Sequence, residues 1–429
     1  MEGEIMDGFK FPEGFELGVS SAATQIEGGD INTNWHDWAK AGHIKDGSSP
    51  AVADMHWERW QEDDRLMADM GIKHARIGIE WVRIEPECGV FDEAGMQHYI
   101  DELTFMKEHG IEPLVTLHHF SNPTWFEEMG GFEKFENVEY FIEFSRYVVT
   151  AFGDLCNQYI TINEPNVYAM CCYFDGTFPP GKKDMGAYIE VLSNMASAHI
   201  QCYKLIHEIN PQAKVSAAIH IAVMTPLNAA NPFHVACSAF INQAFNVAIS
   251  KAMALGRITL PLKKKPGVER GEWCDFWGLN YYSRQTISGL VEGTMPGSRI
   301  NDLGWEIYPD GIAKSAKMLY DILPREIHIT ENGTCDNNDV WRSRYIYDHL
   351  RVLFASGLPV KRYYHWCFVD NFEWCEGESA RFGIVHIDYR TQKRTIKKSG
   401  KFYSEMIKNK GCTQKMYDKY VAGIEYKEQ

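Results

Sequence analysis

Ile327-His328-Ile329-Thr330-Glu331-Asn332-Gly333 is a β-branched run that closes on a carboxylate, an amide and a glycine. Its first residues suit a strand. Glu331 does not, because a carboxylate at the end of an apolar strand is costly to bury without a partner. A single such glutamate reads as a helix cap or a partner for an arginine. Tyr159-Ile160-Thr161-Ile162-Asn163-Glu164-Pro165 repeats the design. Two strands that each end in Glu beside Asn point to a shared task.

Working outward, eight short runs rich in Val, Ile, Thr, Tyr and Phe recur along the chain. They are Phe15–Ala22, His74–Trp81, Glu112–Phe120, Tyr159–Pro165, Lys214–Ile221, Phe276–Ser283, Glu326–Gly333 and Val360–Asp370. Most are apolar on both faces, as parallel strands covered by helices should be. Longer helical patterns lie between them. Trp57–Met70 stops at Gly71 and Ala94–His109 stops at Gly110; Glu139–Phe152 and Ala187–Ile209 are further cases. The alternation predicts a single (β/α)8 TIM barrel with its site at the C-terminal ends of the strands. Its core runs from about 9 to 408 and a tail covers 409–429. A doubly wound nucleotide fold lacks the Gly-x-Gly-x-x-Gly turn after its first strand. The 429 residues fit one such barrel.

The bulk properties exclude several classes. A formal net charge of −15 repels nucleic acid and anionic membranes. Lys263-Lys264-Lys265 reads as a solvated loop, and no apolar stretch approaches the ~20 residues of a membrane span. Met1 to Lys10 carries Glu2, Glu4 and Asp7 and lacks the pattern of an export signal. Eleven cysteines without a C-x-x-C pair read as free thiols. The expectation is a cytoplasmic protein whose partner is a small molecule. The oligomeric state is left open.

In a barrel the strand ends carry the chemistry. Here they offer Gln25 and Glu27, Arg76, His118 and His119, Asn163 and Glu164, Asn280 to Tyr282, Glu331 and Asn332, Trp366, then Glu373 and Trp374. Strands four and seven lie across the barrel, so Glu164 and Glu331 can meet over one pocket.

These segments resemble glycoside hydrolase family 1, the β-glucosidase family. Thr161-Ile162-Asn163-Glu164-Pro165 is similar to its acid/base motif and Ile329-Thr330-Glu331-Asn332-Gly333 to its nucleophile motif. Ala23 to Gly28, Asn280-Tyr281-Tyr282, Asp370 to Trp374 and Arg381 to Val385 also match, in the family's order. The resemblance implies a retaining β-glycosidase acting on unphosphorylated β-glucosides, with Glu331 as nucleophile and Glu164 as general acid/base. Two carboxylates about 5–5.5 Å apart allow direct attack and a covalent intermediate. It further implies that Arg76 and Tyr282 hold Glu331 ionised and that Asn163 meets the sugar 2-OH. Gln25, His119, Glu373 and Trp374 would bind other hydroxyls. Trp366 would form the floor, and Trp305 would shape an apolar aglycone side with Phe120 and Phe178, unless the two phenylalanines pack inward. His118 would pack behind the site. No cofactor or metal is called for.

Other readings differ in class. A transglycosylating enzyme, or one preferring galactosides, fucosides or mannosides, would use the same intermediate. A non-catalytic sugar-binding protein would lack a glutamate. A metal-dependent barrel hydrolase needs converging ligands, whereas the adjacent His118 and His119 face opposite ways on a strand. Cys375-Glu376-Gly377-Glu378 and His118 to Pro123 depart from common family patterns, and Gly29 to Asn32 is closer to archaeal-type members. All touch the pocket rim.

Overall fold

The computed structural model describes residues 7–429; residues 1–6 of the N-terminal reading lie outside them. Eight parallel strands close into a barrel. They are β1 (Glu16–Ser20), β2 (His74–Gly78), β3 (Glu112–His118), β4 (Gln158–Asn163), β5 (Lys214–His220), β6 (Trp277–Asn280), β7 (Ile327–Asn332) and β8 (Val360–Trp366). Each pairs with the next, and β8 returns to β1 through Trp366 opposite Ser20. Each strand leads to one long outer helix. These are α1 (His56–Asp69), α2 (Glu93–Glu108), α3 (Val138–Phe152), α4 (Met185–Ile209), α5 (Ala248–Leu255), α6 (Asp310–Ile322), α7 (Arg342–Ala355) and α8 (Lys398–Asn409).

The predicted strands overrun the observed ones at their C-terminal ends. Trp81, placed in the second run, opens a short helix to Ile84, and the eighth strand stops at Trp366 rather than Asp370. The overrun residues are apolar because the rim is packed. They leave the sheet because their backbones must turn into the loops that build the site. Gly71 and Gly110 take positive φ after α1 and α2, as the helix-stop reading requires. Gly333 has a different reason: a Cβ there would sit 1.8 Å from the Trp366 carbonyl oxygen, so the β7–β8 approach tolerates no side chain.

Inside the barrel, Leu114, Ile160, Ala218, Phe276 and Tyr364 form a buried apolar plug distinct from the main core between strands and helices. Two residues further along β3 the interior turns polar at Thr116, which accepts from Arg76 Nε at 2.9 Å. The plug therefore sets a dry floor, and the polar layer above it faces the C-terminal mouth. Lys263 and Lys265, expected in a solvated loop, both pair with Glu190 of α4, and Lys265 is largely covered. All eleven cysteines are free. The tail folds back: Gly411–Cys412 pairs with Phe9–Lys10, and Lys427–Glu428 with Arg299–Ile300.

Candidate active site

β4 ends because Pro165 cannot donate to the ladder and disfavours helical backbone at the preceding residue. Glu164 adopts the left-handed region (φ 42°) and caps the short helix Pro165–Ala169. Of the eight non-glycine residues with positive φ among the described residues, three line one pocket: Phe120, Glu164 and Trp374. Such backbone costs on the order of 1–3 kcal/mol per residue and persists only where the surroundings impose it.

The pocket encloses about 350 Å³ at the C-terminal mouth, with Glu164, Glu331, His119, Tyr282, Trp305, Trp366, Glu373 and Trp374 in its wall. A larger open groove of about 600 Å³, lined by Lys251, Lys314 and Lys317 on the outer helices and by Arg257 just beyond α5, offers only one carboxylate, Asp321. It has no pair for acid/base work.

Glu331 is held at both oxygens. Arg76 Nη1 donates to Oε1 at 2.6 Å and the Tyr282 hydroxyl donates to Oε2 at 2.6 Å. Arg76 is fully buried, and its Nη2 donates to Asn163 Oδ1 at 2.6 Å. Asn280 Nδ2 donates to the same Asn163 oxygen at 3.0 Å and to Glu164 Oε1 at 2.9 Å. An unbroken polar chain thus joins the two carboxylates through Arg76, Asn163 and Asn280. Both hydrogen-bond contacts of the Glu164 carboxylate, from Asn280 and from His220 Nδ1 at 3.2 Å, fall on Oε1. Oε2 is left to the pocket.

Burial drives the titration of this layer. It raises the Glu331 carboxyl to about 7, with Glu164 adding to the rise against the pull of Arg76 and Tyr282. It also raises Glu373 to about 8, with Glu331 nearby and donors from Trp366 and Gln25 opposing. Burial, with Arg76 beside it, holds the His119 imidazole well below its usual value. Neutral His119 then pairs through Nε2 with Asn163 Nδ2 at 2.9 Å. The Asn163 amide keeps one N–H for another acceptor. Gln25 Nε2 donates to the Phe372 carbonyl at 2.9 Å and to Glu373 at 3.3 Å, and its own buried oxygen has no protein partner.

All eleven residues expected at the site are brought together: eight line the pocket, and Arg76, Asn163 and Gln25 stand behind it, bonded to lining groups. Glu27 turns away to Arg83 and Tyr99. His118 packs edge-on to Phe132 and Tyr168, bonded to Asn122. Phe120 is buried and Phe178 half-buried, both against Trp374. The outer wall is thus Trp305, Phe178 and Leu303, with the buried Phe120 lining the pocket beside Trp374. Sequence reasoning overlooked His220, which ends β5 and stacks parallel to Tyr282. The strand-end rule applied to the fifth run would have found it. Gln285, on the strand Arg284–Ser288, and Cys171, in the helical turn Met170–Phe174, also line the rim without a local signal, while Cys375 and Glu376 lie there as the departure at Cys375 to Glu378 led one to expect.

Known proteins of related sequence and like fold identify the family. The family model for glycosyl hydrolase family 1 matches residues 8–412. Beta-glucosidase A of Thermotoga maritima is 33% identical over 94% of this chain and 98% of its own. A 1,4-beta-D-glucan glucohydrolase of Thermotoga neapolitana is 32% identical over 94% and 99%. The solved beta-glucosidase from Thermotoga maritima in complex with glucoimidazole superposes with a TM-score of 0.89 at 31% identity, covering 94% of this chain and 99% of that one. The protein is a glycoside hydrolase and belongs to glycosyl hydrolase family 1.

Proposed function

We propose that this enzyme hydrolyses unphosphorylated β-glucosides with retention of configuration, Glu331 acting as nucleophile and Glu164 as general acid/base. The observation that carries the reading is the unequal solvation of the two carboxylates. Glu331 accepts a donor on each oxygen, which favours the ionised form that attacks. Glu164 is held on one oxygen only and keeps the other for the leaving group. Once Glu331 is esterified its charge is gone, and Glu164 can take a proton from water. Trp366 provides an apolar floor, while His119, Gln25, Asn163 and Glu373 supply fixed polar partners for hydroxyls.

The sugar is expected without a phosphate because, among the described residues, no Lys or Arg lines the pocket. Glu373, raised to about 8, carries its proton at neutral pH and can donate to a hydroxyl as well as accept from one. Phosphate exclusion therefore rests on the missing cation more than on a fixed negative charge. Proton NMR during the first turnovers of an aryl β-glucoside tests the mechanism. β-Glucose appearing before mutarotation is expected; α-glucose as first product would refute it. The 6-phosphoglucoside in the same assay should turn over far more slowly than the glucoside.

A further inference from the structure

We propose that His56, Asp64 and Glu102 form a site for one divalent transition-metal cation of the zinc class, which clamps α1 to α2 and takes no part in the hydrolysis.

His56 is the first residue of α1 and Asp64 lies two turns on. Glu102 comes from the middle of α2, which packs on α1. One ligand atom from each of the three lies within 4.8 Å of the others, and all three residues are buried. Both oxygens of Asp64 are buried without a hydrogen-bond partner among the described residues. A buried carboxylate with no donor is costly, and a bound cation would satisfy it directly.

A second, independent feature is the support behind the imidazole. His56 Nδ1 is 2.9 Å from Asp63 Oδ2. Asp63 is itself gripped by Arg394, with Nε on Oδ1 at 2.7 Å and Nη2 on Oδ2 at 2.9 Å. A carboxylate on one ring nitrogen is the arrangement that fixes the tautomer and aims the other nitrogen at a metal. That other nitrogen, Nε2, is 3.1 Å from Glu102 Oε1. Further negative charge lies close by: Asp63 and Asp370 act on Asp54 against Arg394 and the imidazole, and among the described residues both oxygens of Asp54 lack partners too. One imidazole and two carboxylates suit Zn²⁺; Ca²⁺ and Mg²⁺ call for a fuller oxygen shell.

The test uses the full chain, stripped with a chelator and titrated with Zn²⁺ by calorimetry, with elemental analysis for stoichiometry and Co²⁺ as a visible-absorption probe. One Zn²⁺ per chain is expected, with a rise in Tm that the chelator reverses. Asp64→Asn and Glu102→Gln should each weaken binding at least ~100-fold and abolish the Tm shift. Activity on an aryl glucoside should change less than about two-fold between stripped and zinc-loaded parent. Glu331→Gln should bind Zn²⁺ like the parent, which separates this site from the catalytic carboxylates. No stoichiometric metal and no Zn²⁺-dependent Tm in the parent would overturn the proposal, whether or not the variants fold. Unchanged binding in Asp64→Asn would overturn it as well.

Discussion

The inner end of the pocket and its outer rim are built on opposite principles. Around Glu331 the side chains are buried, Tyr282 half-buried, and they bond to one another, from Tyr282 and Arg76 through Asn163 to His119 and Asn280. At the rim, Trp305 is 38% exposed and meets Tyr282 and Phe382 only through ring contacts, while Phe178, Leu303 and Cys375 come from separate loops. The inner network is preorganised, so its dipoles need no rearrangement as charge develops. The rim gains free energy mainly by covering apolar area, roughly 25 cal/mol per Å². Unpaired polar groups discriminate steeply and apolar walls weakly. Changes in the sugar or its partners should therefore cost far more than changes in the aglycone.

The most severe way to break the contrast is to remove the carboxylates. Glu331→Ala should leave a folded protein with kcat lower by roughly 10⁵-fold or more, about 7 kcal/mol of barrier. Glu164→Ala should lose about 10²–10⁴-fold, most on poor leaving groups. Added azide should return the inverted glycosyl azide from the first variant and the retained one, with a good leaving group, from the second. Parental activity in Glu331→Ala would end the assignment.

Tyr282→Phe probes the inner network without removing a reacting group. Losing a hydrogen bond to a charged partner costs about 1.5–3 kcal/mol, or roughly 10–100-fold in kcat/KM. The pH dependence has a definite sign. Activity needs ionised Glu331, so kcat/KM should fall as pH drops through about 7. The phenol pulls that value down, so its loss should move the acid limb to higher pH. An acid limb that stayed put or moved lower would show that Tyr282 does not act on Glu331.

His220 lies on the border of the two regions. His220→Phe removes one contact to Glu164 and should lower kcat about ten-fold on alkyl glucosides, but only slightly on nitrophenyl glucosides, whose departure needs little acid help. Equal losses on both would point to packing alone. At the rim, Trp305→Ala should raise KM for aryl glucosides a few-fold, on the order of 1 kcal/mol, and leave kcat nearly unchanged. A panel sharing one sugar should favour aryl and alkyl aglycones over cellobiose. If cellobiose won, the apolar-rim reading would fall while the inner assignment stood.

The eight strand runs and the helix stops at Gly71 and Gly110 were legible because barrel strands and amphipathic helices carry periodic signals. Strand ends were read too long, since Trp81 and the residues around Asp370 are as apolar as the sheet they leave. Glu164 and Glu331 were also legible, as carboxylates in places where an apolar strand should end. What the chain order could not convey was pairing across the barrel. That His220 reaches Glu164, that Glu27 turns to Arg83, and that His56, Asp64 and Glu102 converge all depend on packing between distant segments. The linear chain thus determined the layout and the reacting groups, because alternation and misplaced charge are local properties. Tertiary structure decided which buried polar atoms satisfy one another, because that depends on through-space distances that no local pattern records.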